Sequence, residues 1–115
     1  DHELKLPLKP DITIRKAGIV VAVIDAKYKP LASTSFPNAD AYQMLAYCIR
    51  YGLPEGTLVY AQDERGGQRD HEIRNAGITV RVRSLDLAAS HGEVLDQVSR
   101  LADELISTDR EFAVV

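Results

Sequence analysis

Residues 19–27 read IVVAVIDAK. The unbroken apolar run from Ile19 to Ile24 is the pattern of a strand covered on both faces, and therefore central in its sheet. Asp25 ends that run, where a carboxylate faces a heavy desolvation cost unless something positive compensates it. Lys27 stands two residues on. Strand side chains alternate with period two, so Asp25 and Lys27 share a face. Taken alone, a simple Asp–Lys ion pair at a strand end accounts for both residues as well as any catalytic role does.

Upstream, Pro10 to Arg15 (PDITIR) is rich in strand formers, and Lys16-Ala17-Gly18 has the composition of a turn. If the two segments form a hairpin with Arg15 opposite Ile19, Asp11 falls opposite Val23. Asp25 is then its diagonal neighbour on the same face, about 7–8 Å away. A slip of one residue would send Asp11 to the other face. Two carboxylates at that spacing repel each other, and a divalent cation between them removes the conflict. Oxygen ligands of this kind suit Mg²⁺ or Mn²⁺, with phosphate and water completing the shell. Lys27 beside such a site could orient an attacking water or neutralise charge developing on a phosphate. Further upstream, Glu3 to Leu8 alternate loosely and could enter another strand.

Downstream, Tyr28 to Asn38 read as a loop, punctuated by Pro30 and Pro37. A helix is expected over Ala39 to Tyr51, with Ala41, Leu45, Cys48 and Ile49 as its apolar stripe and Gly52 and Pro54 as its stop. Thr57 to Gln62 is a further strand, and Asp63 to Asp70 (DERGGQRD) a charged loop. His71 to Arg74 and Ile78 to Arg83 are short strands around Asn75-Ala76-Gly77. The last helix spans His91 to Ile106. Ser90 and Glu93 form a capping box at its start, and Val94, Leu95, Val98, Leu101, Ala102 and Leu105 line one face. The order predicts an α/β (α+β) domain: a mixed central sheet flanked by helices.

The 115 residues suffice for one domain with one core. No apolar run approaches the roughly 20 residues of a membrane span, and the chain opens on Asp with no signal peptide, as a trimmed or processed chain would. The one cysteine, Cys48, cannot form an internal disulfide, and no Cys/His cluster has zinc spacing. The expected setting is therefore intracellular. A net charge of −3 counts against a strong, independent nucleic-acid binder. His2, His71 and His91 fit no metal or triad spacing. Lys27 and Lys29 are better phosphate candidates than Arg65 and Arg69 of the charged loop.

Pro10-Asp11 followed by Asp25-Ala26-Lys27 after an apolar strand resembles the motif of the PD-(D/E)XK nucleases. Gln43-Met44-Leu45-Ala46-Tyr47, on the following helix, is similar to the QxxxY motif of the RecB-like branch. The runs DAKYKP and DAYQMLAYCIRYG look most like the McrC nuclease subunits of McrBC 5-methylcytosine restriction systems, with the likeness strongest over Leu8 to Gln62.

The resemblance implies a restriction-endonuclease-like fold and Mg²⁺-dependent (or Mn²⁺-dependent) hydrolysis of DNA phosphodiester bonds. It implies Asp11 and Asp25 as metal ligands, with the backbone carbonyl of Ala26 as a further one. Lys27 is then the catalytic lysine, and Gln43 and Tyr47 line the site. It also implies an AAA+ GTPase motor partner of the McrB kind, a prokaryotic cytoplasmic setting and, with a sheet edge left open, self-association. The family's core begins with a helix and a strand ahead of the hairpin, for which nine residues before Pro10 are too few. Residues 1–115 are thus expected to be a nuclease domain forming the C-terminal portion of a longer McrC-like protein.

Several plainer readings compete. Asp40 and Gln43 could form a capping box, and Tyr47 could be a half-buried packing residue with a hydrogen-bonded tip. The whole domain could be a non-catalytic docking module, or a junction-resolving repair nuclease of the same superfamily.

Overall fold

A computed structural model describes residues 10–28, 39–62, 71–106 and 110–114. The expected strand at Glu3 to Leu8, most of the loop before the first helix (with Lys29) and the charged loop with Arg65 and Arg69 lie outside the described residues. The elements run β1 (Ile12–Lys16), β2 (Ile19–Lys27), α1 (Ala39–Tyr51), β3 (Glu55–Gln62), β4 (His71–Asn75), β5 (Ile78–Asp86), α2 (His91–Leu105) and β6 (Arg110–Val114). The six strands form one mixed sheet in the order β4-β5-β3-β2-β1-β6. β2, β3 and β5 are parallel, and the outer pairings are antiparallel.

The fold class is as the sequence predicts, and α1 matches residue for residue. β6 was not anticipated: REFAV is a five-residue segment that pairs with β1 about a hundred positions upstream, and nothing local announces such a partner. Among the described residues no helix is long and apolar enough to cross a membrane.

β2 is interior, as its apolar run requires, and its buried residues divide between two cores. Val23 joins a core under α1 that contains Ala41, Met44, Leu45, Cys48, Leu58, Tyr60, Val80 and Val82. Ala22 and Ile24 face the other way, into a smaller core with Ile14, Val59 and Leu105 of α2. Only Ile19, at the strand's start, is largely exposed.

The β1–β2 register differs from the expected one. Lys16 pairs with Ile19, so the turn has two residues, Ala17 and Gly18, with φ of 53° and 79°. Positive φ at both central positions is the hairpin geometry that matches strand twist. A second offset follows: Arg15 pairs with Val20 but Ile14 with Ala22, leaving Val21 as a bulge. Each offset moves the register by one residue. Together they move it by two, so Thr13 rather than Asp11 meets Val23.

Two other expectations are corrected. On α1 the fourth apolar contact is Met44, fully buried, and Ile49 is exposed. The hundred-degree step per residue brings Met44 over the sheet with Ala41, Leu45 and Cys48, and turns Ile49 to the outside. On α2 the proposed six-residue face is only partly covered. Leu105 is buried and Leu101 packs on the second core, while Leu95 and Val98 are exposed. The capping box of Ser90 and Glu93 is formed as expected.

The second face of the sheet is tied by ion pairs. The Arg83 guanidinium donates to Glu72 at 2.7 Å and to Glu104 of α2 at 2.6 Å. Glu55 of β3 accepts from Arg81 at 3.0 Å and from Arg110 of β6 at 2.9 Å. Hydrogen bonding from Arg110, then Arg81, holds the Glu55 carboxyl below its ordinary range against the opposing effect of burial. A depressed carboxylate contributes stability above its unfolded pKa, and that stability is lost as pH falls through the folded value. Glu55→Gln should therefore lower stability at neutral pH, with the deficit disappearing well below pH 4.5, the ordinary value. Urea unfolding at the two pH values checks this.

α1 approaches β3 most closely at Gly56. A Cβ there would lie 2.5 Å from Met44 Sδ and 2.9 Å from Cys48 Sγ. Both side chains are fully buried and have no room to withdraw. Gly56→Ala should cost about 1–3 kcal/mol through overpacking, seen as a lower urea midpoint.

Candidate active site

The parallel strands end together on one side of the sheet. Asp25 and Lys27 of β2 stand there beside Leu58 and Tyr60 of β3, their ladder partners. Asp25 is 6% exposed. Its carboxylate lies 3.1 Å from Lys27 Nζ, whose side chain is partly exposed. The Asp–Lys pair read from the sequence is therefore present.

Asp11 reaches the same point from the opposite strand. Its backbone N–H donates to the Ile24 carbonyl at 2.9 Å, and its carboxylate accepts from the Ala26 N–H at 2.8 Å. It thus binds the two residues that flank Asp25. Both bonds lie just beyond the last ladder pair of the two strands, Ile12–Ile24.

A third carboxylate arrives from α1. The helix begins at Ala39, so Asp40 is its second residue rather than its cap. Asp40 accepts a 2.6 Å hydrogen bond from the Tyr60 hydroxyl. Sequence reading missed both Asp40 and Tyr60. The pattern D-x-x-Q invited a local explanation, and the partner lies twenty residues away on a buried strand.

α1 runs back along the sheet from this end. Asp40 is level with Tyr60, whereas Met44 and Cys48 are level with Gly56. Gln43 is half-buried, one turn along α1 from Asp40. Tyr47 lies a turn deeper, is half-buried against the first core, and has its ring centroid 4.6 Å from that of Tyr51. Burial, followed by the neighbouring Tyr51, raises the Tyr47 phenol above its ordinary pKa. This environment fits a packing residue. Cys48, fully buried, has its thiol pushed up to about 11 by desolvation, which makes it a core residue and no nucleophile.

The Asp25 carboxyl is raised above its ordinary pKa. Burial is the largest cause. Lys27 opposes it through its hydrogen bond and its charge, and the negative charges of Asp11 and Asp40 push further upward. Two neighbouring carboxylates thus act on Asp25 beside its one lysine, an arrangement that a divalent cation would relieve. Among the described residues no group of three or more His, Cys, Asp or Glu is poised as a complete metal cage. A hard cation that keeps water and phosphate as ligands needs only one or two carboxylates and a backbone carbonyl from the protein. Asp11, Asp25 and the Ala26 carbonyl are the residues that would hold it.

A family model described as McrBC 5-methylcytosine restriction system component matches residues 1–61. That range takes in β1, β2, α1 and nearly all of β3, and so every residue of the candidate site. No curated protein matches the chain at a significant level.

A carboxyl whose folded pKa is raised favours the folded state most below its unfolded pKa, and that contribution is lost as pH rises through the folded value. At neutral pH the charge on Asp25 therefore costs stability in the metal-free protein. Asp25→Asn should raise the metal-free Tm and abolish the further rise that Mg²⁺ or Mn²⁺ produces in the parent chain. Thermal unfolding with and without the cation checks both halves. A fall in metal-free Tm would show that the Lys27 pair outweighs desolvation.

Proposed function

This chain belongs to the McrBC 5-methylcytosine restriction system component family, and from that premise we propose that it is the DNA-cleaving part of such a system, a metal-dependent endonuclease of the PD-(D/E)XK type. The observation that carries the reading is the buried Asp25, paired with Lys27 and gripped on both flanks by Asp11, at the open end of the central strand. A carboxylate kept in that position at the expense of stability is the mark of a site selected for chemistry.

Asp11 and Asp25, with the Ala26 carbonyl, form the cation site. A divalent cation bound there supplies Lewis-acid activation of the scissile phosphate and of the attacking water. Lys27, now the counter-charge to Asp25, would be released toward the phosphate were a cation to neutralise that carboxylate. There Lys27 orients the incoming water and neutralises charge as the phosphorus–oxygen bond breaks. Gln43, on the near end of α1, contacts the substrate side of the site, and Tyr47 supports it from below.

The net charge of −3 gives little long-range attraction for a polyanion. We therefore assign DNA loading to a partner, a GTP-hydrolysing motor of the McrB kind, in the prokaryotic cytoplasm.

The test is cleavage of 5-methylcytosine-containing plasmid in Mg²⁺, with and without such a motor. Cleavage should be slow for the chain alone and fast with the motor and GTP. Asp25→Ala or Lys27→Ala should reduce it by on the order of 10²-fold or more. Cleavage that persists at the parent rate in both variants refutes the assignment. A parent chain that never cleaves, even with the motor, favours a docking module instead.

A further inference from the structure

Tyr60 is 1% exposed, in the middle of the core beneath α1, and its only polar atom is its hydroxyl. Leucine or phenylalanine would fill the space without bringing a polar group into the core. The hydroxyl makes a short bond, 2.6 Å, to a carboxylate, in the range of charge-assisted bonds. On the strand side, Tyr60 is the ladder partner of Lys27. On the helix side, Asp40, Gln43 and Tyr47 follow at spacings of three and four, so they form one stripe along α1. The Tyr60–Asp40 bond therefore joins the helix stripe that carries Gln43 to the strand row that carries Lys27.

We propose that Tyr60 and Asp40 are positioning residues, which lock the first turn of α1 so that Gln43 stands over Asp25 and Lys27. This rests on the nuclease reading for what Gln43 faces, but the lock itself is a property of the fold. The bond is directional and fixes rotation about the helix axis at this point, which apolar packing does not specify. A rotation of a few tens of degrees would carry Gln43 away from the strand ends while the core stayed filled. A misplacement of about 1 Å in a catalytic constellation can cost on the order of 10²-fold in rate.

The same geometry separates three roles for Asp40. As a positioning residue it needs only an acceptor oxygen, which an amide also offers. As a metal ligand it needs its charge. As a purely structural group it matters for stability alone.

The experiment uses Tyr60→Phe, Asp40→Asn and Asp40→Ala. Each is measured for Tm, for Mn²⁺ affinity by calorimetry, for DNA cleavage with the motor present, and for Mn²⁺-induced broadening of the Gln43 side-chain amide in NMR spectra. Positioning predicts that Tyr60→Phe binds Mn²⁺ as the parent does, loses tenfold or more in turnover with little change in KM, and no longer shows Gln43 broadening. Asp40→Asn should retain most turnover and broadening, and Asp40→Ala should behave as Tyr60→Phe.

Unchanged Gln43 broadening in Tyr60→Phe overturns the proposal, as does a fall in Tm with turnover intact. Loss of Mn²⁺ affinity in Asp40→Asn overturns it in favour of a ligand role. If the parent never cleaves DNA but Gln43 broadening depends on Tyr60, the nuclease reading fails and the lock stands. If Mn²⁺ broadens no Gln43 signal in the parent, Gln43 does not face the site and the proposal falls.

Discussion

The β1–β2 ladder is the constraint on which the site depends. Asp25 is fixed by burial, since β2 is enclosed on both faces from Ala22 onward. Asp11 is fixed only by register. The two-residue turn at Ala17-Gly18 and the bulge at Val21 each displace that register by one residue. Either displacement alone would turn Asp11 to the far side of the sheet. Acting together, they carry the ladder to the Ile12–Ile24 pair, just beyond which the N–H and carboxylate of Asp11 bind the backbone on either side of Asp25. The bulge also changes which face each residue serves: Val20 packs into the first core and Val21 into the second. One extra residue thus serves both the packing and the chemistry.

The two faces of the sheet are built on different principles. The α1 face is an apolar core closed tightly at Gly56, where the side chains of Met44 and Cys48 occupy the space that a Cβ would need. On the α2 face, Arg81 and Arg83 alternate with the buried Val80 and Val82. Their charges are met by Glu55, Glu72 and Glu104. Paired arginines can be half-buried where unpaired ones cannot. Arg110 joins the same network through Glu55 and so fastens the β6 edge strand to the middle of the sheet.

Around Asp25 stability and chemistry oppose each other. Desolvation and two neighbouring carboxylates disfavour its charge, and one lysine offsets them only in part. A chain under selection for stability alone would lose that carboxylate. That carboxylate lies within the stretch matched by the restriction-system family model.

The central strand, both hairpin turns, the two helices and the pairing of Asp25 with Lys27 were legible in the sequence. Each is determined within a window of some ten residues, by period, turn composition and capping. Asp11 was legible as a neighbour of the Asp25 strand end, although the expected register was off by two. What the tertiary structure alone decided is of another kind. The partner of β6, the burial of Met44 in place of Ile49 and the exposure of Leu95 and Val98 depend on which surfaces other segments cover. The Tyr60–Asp40 bond spans twenty residues and a change from helix to strand. No local pattern encodes such a contact, because its energy exists only once the helix has been laid on the sheet.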